Sequence, residues 1–267
     1  YDECERSREW SEDDVALLGA AAEIFGSALH RWQTAEQLEM QVRYQQALAH
    51  CSRVLLKNPA TLEARTRLLE SALESLLWAT DASRAYYFRT FDDPELGPCT
   101  GIAALVCVPG IPNRILETGY RVPFTSMPNG LRAAFERQQP FGGPIAEIFA
   151  DDAVWRDRYL SQRPPLLSVQ LVPLFVNDVQ WGFIGLDDVK TPRYWNESEI
   201  TLLGTGGEIV GTALQRWNVN EILEEQVRSR TAELQESNRH LRRRLDVEQM
   251  FAQLSSRLLR HDGSDES

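Results

Sequence analysis

Apolar residues recur at helical spacing in two stretches that lie far apart in the chain. Leu17, Leu18, Ala21, Phe25 and Ala28 define the first, and Leu202, Leu203, Ile209, Val210 and Ala213 the second. Each stretch has its own start signal. Ser11 and Asn196 are N-cap types, and Asp14 and Glu199 stand three residues on, where a capping acid belongs. A third helical face (Leu62, Leu69, Ala72, Leu73, Leu76, Leu77) follows Asn58-Pro59, which predicts a helix capped by Asn58 and running to about Ala79. The pattern then changes. Residues 84–91 are aromatic-rich and 101–108 apolar, and both read as strands. Residues 109–128 read as loop, 130–139 as a short helix and 141–159 as mixed loop and helix. Residues 168–176 and 179–187 flank Asn177-Asp178, the mark of a two-residue hairpin. Pro173 predicts an edge position or a bulge. This order of elements defines an α+β fold with an antiparallel sheet and its helices gathered on one face.

The two helical stretches are copies of one another. Residues 8–32 (REWSEDDVALLGAAAEIFGSALHRW) and 193–217 (RYWNESEITLLGTGGEIVGTALQRW) share 13 of 25 residues at an offset of 185. Residues 44–56 and 247–259 match more weakly, with 5 identities in 13 at an offset of 203. The repeat predicts that 1–32 ends one domain, 33–57 is a helical connector, 58–217 is a complete domain, 218–250 is a second connector and 251–267 begins a further domain. The chain opens Tyr1-Asp2-Glu3-Cys4, without an initiator Met or a signal-peptide pattern, and its start reads as a cut. The offsets 185 and 203 differ by 18 residues, roughly five helical turns. Neither connector contains Gly or Pro, so both read as rigid helices. Gly26 and Gly211, equivalent in the two copies, lower helix propensity and point to close approach by another helix.

The second connector carries a heptad pattern. Val227, Leu234 and Leu241 repeat every seven residues, and Thr231, Asn238 and Leu245 fall four after each. These are d and a positions, and an Asn at a favours a parallel, in-register homodimer. The alternative is a solvated polar helix.

Composition narrows the function. The net charge of −11 argues against a duplex nucleic-acid partner. No apolar run approaches the roughly 18 to 20 residues of a membrane span. Cys4, Cys51, Cys99 and Cys107 show no CxxC and no zinc spacing with the four histidines, which fits reduced thiols and a cytoplasmic location. The Asp pairs 92–93, 151–152 and 187–188 read as loop and turn acids rather than metal ligands. No Ser/His/Asp grouping or P-loop is present, so this segment is not expected to be an enzyme.

Four segments resemble the GAF domains of bacterial sensor proteins. They are LLESALESLLWATDASRAYYF, LLSVQLVPLFV, WGFIGLDD and the closing helix with its lead-in, RYWNESEITLLGTGGEIVGTALQRW. Residues 8–32 resemble the closing helix of a preceding GAF domain. The resemblance implies a central antiparallel sheet of about six strands, helices on one face, a ligand cavity over the other, and long helices that form parallel dimers. It implies a sensory role in signal transduction, within a two-component histidine kinase. The alternative is a ligand-free GAF domain that dimerises and spaces its neighbours. No cofactor is indicated: the Cys-His pair common in bilin attachment and the Asn-Lys…Phe…Asp-Glu pattern of cyclic-nucleotide GAF domains are both missing. If a small molecule binds, the connection between the second and fifth strands is the place. Phe124, Phe141, Ile148, Trp155 and Tyr159 are then candidate walls, and Arg114 or Arg121 a candidate anion partner. The competing reading is a collapsed core with surface arginines.

Overall fold

Capping chemistry opens both long helices as the sequence predicts. The computed structural model describes residues 10–112 and 121–261. In chain order the elements are α1 (Glu12–Leu55), α2 (Leu62–Thr80), β1 (Arg84–Asp93), β2 (Gly97–Cys107), β3 (Arg121–Pro123), α3 (Asn129–Glu136), β4 (Phe141–Pro144), α4 (Ile145–Ile148), α5 (Ala153–Leu160), β5 (Ser168–Val176), β6 (Val179–Asp188) and α6 (Glu197–His261). At the start of α1 the Ser11 hydroxyl accepts from the Asp14 N–H, and the Asp14 carboxylate accepts from the Ser11 N–H, both at 3.1 Å. Asn196 and Glu199 make the same reciprocal pair at the start of α6, at 2.9 and 3.0 Å. The chain divides into two units, residues 1–213 and 214–267. The first holds the sheet, and the described residues of the second are helical.

α2 begins later than Asn58-Pro59 predicts. Thr61 is its cap, accepting from the Ala64 N–H at 3.2 Å. Residues 56–61 are taken up in reversing the chain, because α2 returns antiparallel against α1. The thiol of Cys51 donates to the Ala72 carbonyl at 3.3 Å, and Arg43 pairs with Asp81 at 3.2 Å.

The six strands form one sheet in the order β3-β2-β1-β6-β5-β4, antiparallel throughout. The β5–β6 hairpin turns at Asn177 and Asp178, whose φ values of 51° and 60° define the mirror-image turn that matches strand twist. Pro173 takes the first of its predicted settings, a local edge, and stands beside the second. It lies beyond the reach of β4, which pairs only with residues 168–171, and the register shifts one residue later, between Leu174 and Phe175. The strand β4 was hidden in the stretch read as mixed loop and helix, since Phe141-Gly142-Gly143-Pro144 is too short and too glycine-rich to show a period of two.

Alternation along the strands sorts side chains into two layers. Ala85 and Tyr87 of β1 lie opposite Leu186 and Ile184 of β6 on one face, which the helices cover. On that face α6 comes very close. A Cβ at Gly206 would stand 2.8 Å from Leu76 of α2, one at Gly207 3.3 Å from Ile184, and one at Gly211 3.0 Å from Leu174. The approach at Gly211 is therefore helix to sheet, not the helix to helix that its position predicts. Gly26 has open space around it.

Candidate functional site: a roofed aromatic cavity

On the opposite face, strands β1 and β6 build a floor by strict cross-strand pairing. Phe88 faces Phe183, Tyr86 faces Gly185, and Arg84 faces Asp187. The Phe88 and Phe183 rings stack at 4.8 Å. Gly185 has to lack a side chain: a Cβ there would stand 2.4 Å from the Tyr86 ring and 2.6 Å from Leu171. The ring of Tyr86 lies over this gap, and its hydroxyl donates to Asp187 Oδ1 at 2.8 Å. Arg84 and Asp187 are 4% and 2% exposed, with Nε and Oδ2 3.2 Å apart. That approach is an ion pair without hydrogen-bond alignment, and the buried Nε and Nη2 of Arg84 have no acceptor among the described residues.

The connection between β2 and β5 roofs the floor. Its described residues partly enclose a cavity of about 390 Å³ whose walls include Phe149, Trp155, Tyr159, Met127, Leu131 and Leu166. Tyr159 stacks on Phe149 at 5.6 Å, and the Trp155 indole N–H donates to the Ser126 carbonyl at 3.2 Å. Arg158 and Arg163 also line the cavity, the first lying 4.8 Å over the Trp155 ring. The volume sits near the lower end of the roughly 300–1,000 Å³ typical of small-molecule pockets, and apolar walls with a few convergent polar groups are their usual lining.

Burial pushes the Asp187 carboxyl up to about 6, against the opposing pull of the Arg84 guanidinium and the Tyr86 hydroxyl. The Tyr86 phenol is raised by burial and by the neighbouring Asp187 charge. Asp187 therefore ionises within the physiological range, and its charged form depends on Arg84.

The sequence-named residues are only partly gathered here. Trp155 and Tyr159 line the cavity; Phe124, Phe141 and Ile148 pack against the aromatic cluster behind its walls. Arg121 turns away to Asp93 at 2.7 Å and is 60% exposed. Arg114 lies outside the described residues. The Asp pairs are more than turn acids. Asp187 holds Arg84, and Asp188 accepts from Ser83 at 3.2 Å and from the Lys190 N–H at 2.8 Å. Asp152 caps α5. Asp93 is held below the usual carboxylate range, first by the Glu95 N–H and then by Arg121. Burial pushes the thiols of Cys51, Cys99 and Cys107 up. The described residues contain no cluster able to hold a metal and no helix long and apolar enough to cross a membrane.

A six-stranded antiparallel sheet in this order, with helices on one face and a roofed cavity on the other, is the GAF fold. No family model matches the chain. Over 153 residues it is 28% identical to the Methanogenesis regulatory histidine kinase FilI of Methanothrix harundinacea, a match covering 56% of this chain and 16% of that protein. The chain thus spans a small part of the relative it matches. Among solved structures it resembles the chromophore-binding domain of an unusual bacteriophytochrome from R. palustris, with a TM-score of 0.51, 12% identity, and coverage of 66% of this chain and 63% of that one. A longer bacteriophytochrome structure from the same bacterium gives a TM-score of 0.53 at 15% identity, covering 70% of this chain and 40% of that one.

Proposed function

We propose that this chain is the sensory GAF module of a signalling protein and that its cavity takes a small planar carboxylate. Occupancy is passed through α6 to an output domain, a histidine kinase. The observation that carries this reading is Arg84: a buried guanidinium with two nitrogens that lack a hydrogen-bond acceptor among the described residues, on the floor of an aromatic cavity. A ligand carboxylate supplies the missing acceptors, and the aromatic walls take a flat ring system. The similarity to a regulatory histidine kinase supports the output assignment. A thiol-anchored chromophore does not fit. None of the described cysteines is among the cavity walls, and burial favours the protonated form of these thiols, which is poorly nucleophilic.

Relay follows from the position of β6. Its cavity face carries Asp187 and its other face carries Ile184, against which α6 packs at Gly207. A ligand anion on Arg84 loosens the hold on Asp187, and β6 is the element that feels both.

Binding is linked to the proton on Asp187. An incoming anion disfavours the Asp187 charge and raises its value above about 6, so carboxylate affinity rises as pH falls toward about 6, by up to roughly tenfold per unit, and levels off below it while the ligand stays ionised. Thermal-shift and calorimetric titrations with benzoate, 1-naphthoate and indole-3-carboxylate, each beside its primary amide, check this at about pH 5 and about pH 8. The acids are expected to bind, more tightly at the lower pH, and the amides not. Amides that bind as well as acids would remove the anion role of Arg84. Failure of every compound would leave the ligand-free dimerisation and spacer reading.

In the unit from residue 214 on, Val227, Leu234, Leu241 and Leu245 are exposed, and Asn238 lies within the same exposed stretch. This supports a parallel homodimer through that helix. Sedimentation velocity is expected to give a dimer that Leu234→Asp with Leu241→Asp converts to monomer. A chain already monomeric before substitution contradicts the coil.

A further inference from the structure

Two helical segments that share 13 of 25 residues are treated very differently by this fold. In residues 197–213 the apolar positions are closed over: Leu202 is 3% exposed, Leu203 0% and Val210 0%. Their equivalents at an offset of 185 are Leu17, Leu18 and Phe25, which are 72%, 39% and 75% exposed. Ala213 is buried and Ala28 exposed. The polar positions do not differ in this way, as Glu208 and Glu23 are both exposed. The burial around 202–213 has a known source: Leu76 of α2, Ile184 of β6, and Leu174 and Val176 of β5. Nothing described occupies the equivalent places around α1: Gly26 has no atom within 4 Å of an added Cβ, whereas one at its equivalent Gly211 would stand 3.0 Å from Leu174. A contiguous apolar face of this size on a capped helix marks an interaction surface.

We infer that residues 12–29 of α1 are the closing helix of another domain of this same fold, and that their apolar face docks on that domain's helix-bearing sheet face. A strand pair and an entry helix, presenting aliphatic side chains as β5, β6 and α2 do here, is the occupant. It rests on the repeat and the exposure alone, independent of any ligand.

A second copy of this chain does not fit the face. The equivalent surface of its own sheet is already covered by residues 202–213. The shapes also disagree. Ala21 and Ala22 stand where the closing helix here has Gly206 and Gly207, and an added Cβ at those two positions comes within 2.8 Å of Leu76 and 3.3 Å of Ile184. Phe25 stands where Val210 fits. The partner surface therefore recedes further than this one opposite Ala21, with a side chain smaller than Leu76, and is also deeper opposite Phe25.

Site-resolved thiol labelling tests the docking. Ala28→Cys places a small probe in the face, and Glu23→Cys places one on the side that stays in water. Maleimide labelling of each is read by peptide mass spectrometry, in this chain and in the full-length protein. Position 28 is expected to label freely in this chain and to slow on the order of 100-fold in the full-length protein, as local opening becomes necessary. Position 23 should label alike in both. Equal rates at position 28 in the two proteins overturn the inference, as does a full-length sequence with no such domain ahead of residue 12. Slow, concentration-dependent labelling at position 28 in this chain overturns it too, since that identifies a second copy as the occupant.

Discussion

Replacing Arg84 with methionine is expected to lower the stability of the domain by about 3–5 kcal/mol near pH 8, and by much less near pH 5. The first figure is the usual cost of leaving one member of a buried ion pair without its partner. Asp187 is that member, 2% exposed and held by Arg84 at 3.2 Å and by the Tyr86 hydroxyl. The pH dependence follows from its titration. In the native domain Asp187 is raised to about 6 from an ordinary 3.8, so the folded state binds more protons than the unfolded state between these values. Stability tied to this group is fully present below the lower value and is lost as pH rises through about 6. Without Arg84 the folded value moves higher still. The variant then diverges from the parent only where the parent's Asp187 is ionised. Urea denaturation at the two pH values measures the difference. Arg84→Met combined with Asp187→Asn keeps the Tyr86 hydrogen bond and removes the charge, and is expected to recover most of the loss. A loss equal at both pH values would mean that Arg84 contributes packing and not charge.

Gly182→Ala is expected to be comparably severe, on the order of 3–5 kcal/mol, out of the roughly 5–15 kcal/mol that typical domains possess. Gly182 has φ 152°, which L side chains rarely adopt. A Cβ there would stand 1.9 Å from the Phe88 carbonyl oxygen and 2.9 Å from its carbon. Both atoms are backbone of the neighbouring strand, so no side chain can swing aside. Relief would require β1 and β6 to part at the Phe88–Phe183 stack, which is the cavity floor. Gly204→Ala is the control. It meets nothing within 4 Å and lies in α6, so it should be neutral or stabilising by about 0.5–1 kcal/mol. Comparable urea midpoints for the two variants would show that the close approach at Gly182 is not a constraint.

Features written in neighbouring residues were legible in the sequence. The caps at Ser11 and Asn196, the Asn177-Asp178 hairpin and the α+β order each depend on a few consecutive positions, and all form. The repeat was equally plain, but what it meant for exposure needed the fold. The cavity floor was not legible because it is non-local. Arg84 and Asp187 are 103 positions apart and meet only through the register of β1 and β6. One signal was available: an Arg opening one aromatic strand and an Asp closing another are opposite charges at the ends that antiparallel pairing brings together. Arg121 misled for the converse reason. A basic residue in the roofing segment is a natural anion partner, yet the end of β1, two strands away in the sheet, supplies Asp93, already fixed by the turn it caps. Of the aromatic residues named for the pocket, only the α5 pair Trp155 and Tyr159 line it, because those two point inward from one helix.

That a carboxylate on Arg84 is felt by the helix on the far side of the sheet is the central claim. Hydrogen exchange at the backbone amides of residues 202–213 tests it most directly, comparing the free chain with the chain saturated by the tightest of the aryl carboxylates. The account predicts that exchange there changes on the order of tenfold together with β6, and that Arg84→Met with Asp187→Asn abolishes the change. Protection confined to the cavity walls, with residues 202–213 unaltered at full occupancy, would contradict it.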